Sequence, residues 1–376
     1  MHATINRALL SLQCAFFLVL PAALDAAERG PSGFDAAYTH AAQELDRYRK
    51  GDFLVGLEES PAIREAVSQA YMLGKQTGAD PLMLAELAAN YGSVLRIPAE
   101  AEQELDYAID LVDAYQKQHG DSEALIKPLI SIGHLNYDFG GMTGANKYYR
   151  RAFKLADKYW NGQPGDQQRL ADLYREAGVN LSFHSHVAGK DYLKDALEIY
   201  SALSDNAGIA ATSMHLGRFW IRRGQYVQAE RYLQDGLAAL GDKSTDTATF
   251  VGLHTQFVRL YSLTYKPELA GQHSQIIGAT YAGKTSDELT LLYSTTLRYP
   301  PNALALRESG EVTVSFTVNE LGEVVNPVVV DRKGHHEFEL AALNAIRFAR
   351  YAPRFVDGQA VATDNVHFTF SFAVND

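Results

Sequence analysis

The chain is predicted to be multidomain, with an all-α helical repeat array at residues 34–285 followed by a small α+β domain at 290–376. Three observations predict this. Between Phe34 and Thr285 Ala, Leu, Glu, Tyr and Arg recur at helical spacing, with no long β-rich alternation. Small and large apolar residues repeat along that stretch at matching offsets, which is how a stacked array announces itself. From Gly310 onward the apolar period switches to two, then to three and four, then back to two. A short hinge is expected between the two parts, at Gly283 to Glu288.

Residues 1–26 have the three-part pattern of a secretory signal peptide. Arg7 supplies the positive start, and Ala8 to Leu20 is an apolar run broken only by Ser11 and Gln13. Pro21 and the small-residue zone Leu24-Asp25-Ala26-Ala27 place cleavage near Ala26. The apolar run is short for a bilayer span, which needs about 20 residues. Two alternatives remain open: an uncleaved inner-membrane anchor, and lipid attachment at Cys14, against which stands the lack of small residues in Ser11-Leu12-Gln13. Cys14 is the sole cysteine, so the processed chain has none, and an oxidising compartment is tolerated.

The helical part opens with about four helices over Phe34 to Gln118, punctuated by Gly51-Asp52, Ser60-Pro61, Gly78-Ala79-Asp80-Pro81 and Pro98. Asp80-Pro81 is a good helix start, a capping carboxylate followed by Pro in the first turn. Repeat-like units then follow. One reads Leu129, Ile132-Gly133, Ala145, Tyr149, Ala152, and a second reads Leu216-Gly217, Trp220, Ala229, Leu233, Gly236 with the same offsets. A degenerate unit, Ala177, Gly189, Leu193, Ala196, falls between them, and Leu253 to Ile277 forms a fourth with Ala270 at the small position. These units resemble the tetratricopeptide repeat (TPR), a helix pair in which small residues allow close approach and large ones fill the groove. Gly133 to Ala177 spans 44 residues and Ala177 to Gly217 spans 40, so the TPR-like repeats are divergent. Stacked helix pairs of this kind make surfaces that hold protein partners. The 21 tyrosines suit such a surface, although each one is read first as a groove filler whose hydroxyl reaches water.

Glu311 to Val318 alternates apolar and small polar side chains, giving a half-buried strand. Asn319-Glu320-Leu321-Gly322 supplies the reversal, because Asn and Gly tolerate the positive φ that tight turns require. A second strand follows over Glu323 to Asp331, and Pro327, having no N–H, is expected to face solvent or sit in a bulge. From His336 to Arg350 the residues Phe338, Ala341, Ala342, Ala345, Ile346 and Ala349 share one helical face, with Pro353 as the stop. Asp357-Gly358 makes another turn, and Val366 to Phe372 is the last strand. In it Phe368, Phe370 and Phe372 are expected to face the helix, with His367, Thr369 and Ser371 on the opposite side.

Taken with Tyr299-Pro300, the motifs Gly310-Glu311-Val312, Leu321-Gly322-Glu323-Val324, Ala341 to Arg347, Arg350-Tyr351-Ala352-Pro353, Asp357-Gly358 and Phe370-Ser371-Phe372 resemble the TonB C-terminal domain family over residues 297–374. The resemblance implies a periplasmic domain that pairs by strand addition with a short segment, the TonB box, of an outer-membrane receptor. It also implies energy delivered by an inner-membrane complex through an N-terminal anchor and a proline-rich spacer. The 12 prolines of this chain are scattered, so no stiff spacer precedes Tyr299 and the helical array stands in its place.

The expectation is therefore a non-enzymatic periplasmic adaptor. Its last domain binds an outer-membrane receptor or another envelope protein by strand addition, and its repeats recruit a second partner. The alternative is a membrane-anchored energy transducer for outer-membrane transport that retains residues 8–24. The candidate partner-binding residues are Val366, His367, Phe368, Thr369, Phe370, Ser371 and Phe372, together with Tyr299 and Pro300. No cofactor or metal is expected. The net charge of −11, with no decisive Lys/Arg cluster, disfavours nucleic acid. Phosphate-loop, His-Glu-x-x-His, Gly-x-Ser-x-Gly and CxxC motifs are all absent, so a hydrolase hidden in the array has no visible nucleophile and base. His184 and His186, and His335 and His336 beside Glu337 and Glu339, are read as a solvated loop and a helix start. Acidic pairs such as Glu58-Glu59 and Glu100 with Glu104 are read as exposed helix positions.

Overall fold

The structure is a computed structural model that describes residues 31–51, 61–160, 162–163, 165–183, 187–241, 246–282 and 289–374. The leader with Cys14, Glu58-Glu59, the His184 and His186 pair and the hinge at 283–288 lie outside the described residues. Among the described residues no helix is long and apolar enough to cross a membrane. By internal contacts the chain divides into two compact units, one ending at Thr249 and the other Phe250–Asp376.

The first unit is a helical array. Its helices are α1 (Pro31–Gly51), α2 (Pro61–Thr77), α3 (Pro81–Val94), α4 (Pro98–His119), α5 (Ile126–Tyr159), α6 (Asp166–Phe183), α7 (Val187–Leu203), α8 (Asn206–Arg222) and α9 (Tyr226–Leu240). Most pack mainly on their neighbours in sequence, as stacked repeats do, while α5 packs more on α3 than on α4 or α6. The expected start at Asp80-Pro81 is present: the Asp80 carboxylate accepts the N–H groups of Leu82 at 2.8 Å and Met83 at 3.3 Å.

Helix α5 contains one complete repeat-like pair, because Gly141 breaks it at φ 57°, ψ −155° and turns the second half back on the first. A Cβ on Gly133 would lie only 2.4 Å from Cε1 of Tyr149, so the ring occupies the space that a missing side chain leaves. The same lock joins Gly217 of α8 to Leu233 of α9, where an added Cβ would meet Leu233 Cδ2 at 2.5 Å. In the degenerate unit the glycine that meets Leu193 is Gly178, one residue beyond the expected Ala177, which is itself buried.

Tyrosine hydroxyls tie these helices together rather than reaching for water. Tyr38 of α1 donates to Glu86 of α3 at 2.7 Å, Tyr149 to Asn180 at 3.0 Å, and Tyr200 of α7 to Asp172 of α6 at 2.5 Å. Tyr71 of α2 donates to Glu104 of α4, so Glu104 is a half-buried acceptor and not the exposed position its spacing suggests. Tyr71, Tyr149 and Tyr200 are fully buried, and a buried hydroxyl without a partner is costly.

The second unit takes in α10 (Thr247–Leu263) from Phe250 onward and α11 (Pro267–Tyr281), and continues through β1 (Leu291–Tyr293), α12 (Pro301–Ala305), β2 (Gly310–Val318) and β3 (Val324–Lys333). It ends with α13 (Glu337–Ile346), β4 (Arg350–Tyr351), β5 (Arg354–Val356), β6 (Gln359–Val361) and β7 (Thr363–Phe372). The main sheet is antiparallel in the order β3-β2-β7, while β1 pairs with β4 and β5 with β6. Its core combines Val312, Val314, Phe316 and Val318 of β2 with Phe338, Ala342 and Ile346 of α13.

Two details differ from the sequence reading. Helix α13 stops at Ile346, four residues before Arg350, because Arg350 and Tyr351 are drawn into extended pairing with β1 and the Tyr351 N–H is taken by Gly322 O at 2.9 Å. Helices α10 and α11, counted by their spacing with the array, pack within the sheet unit: Val258 and Ile277 share a buried cluster with Leu292 and Ala352. The expected irregularity at Pro327 is present, since Ser315 faces Val328 but Thr317 faces Val325, which leaves Asn326 and Pro327 bulged.

Replacing Gly133 by Ala is expected to destabilise the protein by about 1–3 kcal/mol from overpacking against Tyr149, outweighing a helix-propensity gain of about 1 kcal/mol. A urea titration checks this, and an unchanged or raised midpoint would contradict the close approach.

Candidate partner-binding edge

The sheet has two outer strands, and they are finished differently. On β3 the Asn326-Pro327 bulge, where Asn326 takes φ 52°, and a second register shift at Val330 break the row of backbone groups. Its end is charged, with Arg332 2.5 Å from Glu339 and Lys333 3.6 Å from Glu311. Proline, bulges and charge are what blunt an edge against pairing.

Strand β7 has none of these over the residues singled out from the sequence. Its register against β2 runs without interruption from Val366 opposite Phe316 to Phe372 opposite Gly310. The one shift lies before Val366, beside Asp364 and Asn365, where Asn365 takes φ 57°. Gln359 to Ala362 does not cover the strand, because β6 pairs with β5, and among the described residues β7 has β2 as its only pairing partner. One side of its backbone is therefore satisfied by β2 and the other presents N–H and C=O groups outward.

The two faces of β7 follow the expected alternation. Val366, Phe368 and Phe370 are half-buried and Phe372 is buried, while His367, Thr369 and Ser371 are exposed. On the exposed face the Thr369 and Thr313 hydroxyls lie 2.9 Å apart, and Thr317 donates to Asp364 at 2.7 Å, so short polar ties fix β7 to β2. The C-terminal end is anchored by rings: Phe372 stacks on Phe338 with centroids 4.1 Å apart, and Tyr299 meets both edge-on. Tyr299 thus meets the strand at its last residue, and its hydroxyl donates to Glu308 O. Burial, then the Glu308 carboxylate, pushes that hydroxyl above its usual pKa. Pro300 is buried at the head of α12. Tyr299 therefore holds the C-terminal end of β7 in place.

The turn that orients β2 and β3 is more constrained than its sequence suggests. The Asn319 side chain accepts the N–H groups of Leu321 at 3.0 Å and Glu323 at 2.9 Å and donates to Glu323 Oε2 at 3.0 Å. Gly322 sits at φ 74°, and any Cβ there would be 2.0 Å from Tyr351 O. Glu323 also pairs with Arg350 at 3.0 Å. Asn and Gly at the turn are legible locally, but their grip on β4 depends on residues some thirty positions away. At the head of α13, His335 Nδ1 accepts the Glu337 N–H at 3.2 Å, which is the helix-start role read for that pair.

Gly322→Ala is expected to lower stability by more than 2 kcal/mol through positive-φ strain and the clash with Tyr351 O, and Asn319→Ala by about 1–2 kcal/mol through lost hydrogen bonds. Thermal unfolding of both variants tests the ranking, and an Asn319→Ala loss larger than that of Gly322→Ala would reverse it.

No curated protein matches the chain. The outer strand that is left bare, the hairpin turn locked to β4 and the helix α13 over the sheet all belong to a segment, residues 295–374, that matches the family model of the Gram-negative bacterial TonB protein C-terminal.

Proposed function

We propose that this protein is a non-enzymatic adaptor of the cell envelope whose β7 edge takes up an extended segment of a protein partner by strand addition. The observation that carries this reading is the contrast between the two outer strands. From Val366 to Phe372 there is no proline, no bulge and no formally charged side chain, whereas β3 has a proline, two register shifts and an Asp331-Arg332-Lys333 terminus. A strand laid on β7 completes main-chain hydrogen bonds first, and side-chain pockets add selectivity. The family match makes an outer-membrane receptor the first partner to test, with another envelope protein as the wider class. The helical array, with its tetratricopeptide-like pairs, is the part we assign to a second protein partner.

The test uses a peptide copying the TonB box of an outer-membrane receptor, titrated into the full chain. Amides of Val366 to Phe372 that point away from β2 are expected to gain protection on binding. Two peptides N-methylated at alternate residues then read the geometry: the phase that faces β7 is expected to lose at least about tenfold in affinity, since each lost hydrogen bond is worth about 1 kcal/mol, and the other phase little. His367→Ala is expected to change affinity by less than about threefold, since main-chain bonds dominate. Equal sensitivity to both methylation phases, or unchanged β7 exchange at saturating peptide, rules out strand addition here.

A further inference from the structure

We propose that the helical hairpin α10–α11 is an acid-released brace on the sheet of the second unit, and that the His254–His273 pair is its trigger. The two imidazoles meet between the helices with Nδ1 atoms 2.6 Å apart. His254 is 5% exposed, and the pair lies in an aromatic layer. Phe250 is 4.5 Å from His254, Phe257 lies parallel to His273 at 4.5 Å, and Tyr261 stacks on His273 at 5.6 Å. Two facing ring nitrogens at this distance share one proton: one ring donates Nδ1–H and the other accepts with a bare Nδ1. Protonating both rings sets N–H against N–H, and even one extra proton brings a net charge into an apolar layer.

Among the described residues no carboxylate offsets that charge. The charged side chains of the hairpin are Arg259 on α10, Lys266 at the α11 cap and Glu268 in its first turn. Lys266 lies 5.5 Å over the Tyr261 ring, at the margin of this stack. The elements packed on α11 contribute Glu320, Glu323, Arg350, Arg354 and Asp357, of which Glu323 and Arg350 are engaged with each other. Neither histidine has an ion-pair partner among the described residues. Burial lowers His254 to about 4, and burial followed by the charge of His254 lowers His273 to about 4. Both folded values lie below the unfolded value of about 6.5. The hairpin's stability is therefore complete above that pH and is lost as pH falls from about 6.5 towards 4.

What the hairpin holds is the sheet's turn region. A neighbouring face of α11 is made of Gly271, Ser274 and Gly278, and the sheet comes up against it with no room for larger side chains. A Cβ at Gly271 would meet Leu321 Cβ at 2.9 Å, and one at Gly278 would meet Pro353 O at 2.4 Å. Gln275 donates to Glu320 O at 3.0 Å. Both the Asn319–Gly322 turn and the chain entering β5 are thus seated on α11. The core between β2 and α13 is formed by apolar side chains and does not depend on the histidine pair.

The experiment is hydrogen–deuterium exchange on the full chain at pH 7.5 and pH 5.0, corrected for intrinsic rates and read separately over 267–281 and 310–318. Acidification is expected to lower protection of α11 by about tenfold or more while β2 changes by less than about twofold. In His254→Leu/His273→Phe the acid-induced loss in α11 is expected to disappear. In His273→Gln, whose side-chain amide can still donate to His254 and cannot gain charge, it is expected to shrink, and this variant decides the matter if the double variant fails to fold. Equal protection of α11 at both pH values, a loss spread equally over β2, or an undiminished loss in the variants would each overturn the proposal.

Discussion

Close approach through missing side chains is the constraint on which most of this structure rests. Gly133 admits Tyr149, Gly217 admits Leu233, Gly278 admits the Pro353 carbonyl and Gly322 admits the Tyr351 carbonyl. At Gly133 and Gly217 the gap is filled by a large ring or a leucine, which couples the two helices of a pair as a knob fills a hole. At Gly278 and Gly322 the gap is filled by backbone, so the glycine decides where the chain can turn. The hydrophobic burial around these points is less selective, because Leu, Ile and Val of similar volume exchange at modest cost.

The elements that read correctly from sequence are those whose signal is local. The alternation from Glu311 to Val318 and from Val366 to Phe372 and the helical spacing from Phe338 to Ile346 need no knowledge of distant residues. The free side of β7 is an inference from the same pattern, because a Pro-free, uncharged alternating strand opposite a proline-bearing one is visible in the letters. The signals that failed are long-range. Arg350 and Tyr351 continue a helical pattern, and only their pairing with β1 and Gly322 pulls them straight. Gly271, Ser274 and Gly278 look like ordinary small positions of a repeat until Leu321 and Pro353 are set against them. Tyrosine hydroxyls seek acceptors 28 to 48 residues away, distances at which spacing carries no information.

The matched residues, 295–374, take in the sheet and α13 but leave out α10 and α11, which belong to the same compact unit. The matched segment is thus seated on a helical hairpin that lies outside the match, and the hairpin's small-residue face meets the turn it supports.

The bare β7 strand also has a colloidal consequence. Phe368-Thr369-Phe370-Ser371-Phe372 combines alternation, aromatic content and absence of charge, which is the composition of segments that stack into cross-β layers. An outer strand left bare has no covering element to protect it. Protection then falls to features outside the strand: the net charge of −11, which makes copies of the chain repel one another, and the short Thr313–Thr369 and Thr317–Asp364 ties, which hold the strand to β2 and limit its excursions. Salt screens that repulsion and leaves the edge unchanged, so ionic strength acts on self-association without touching the core.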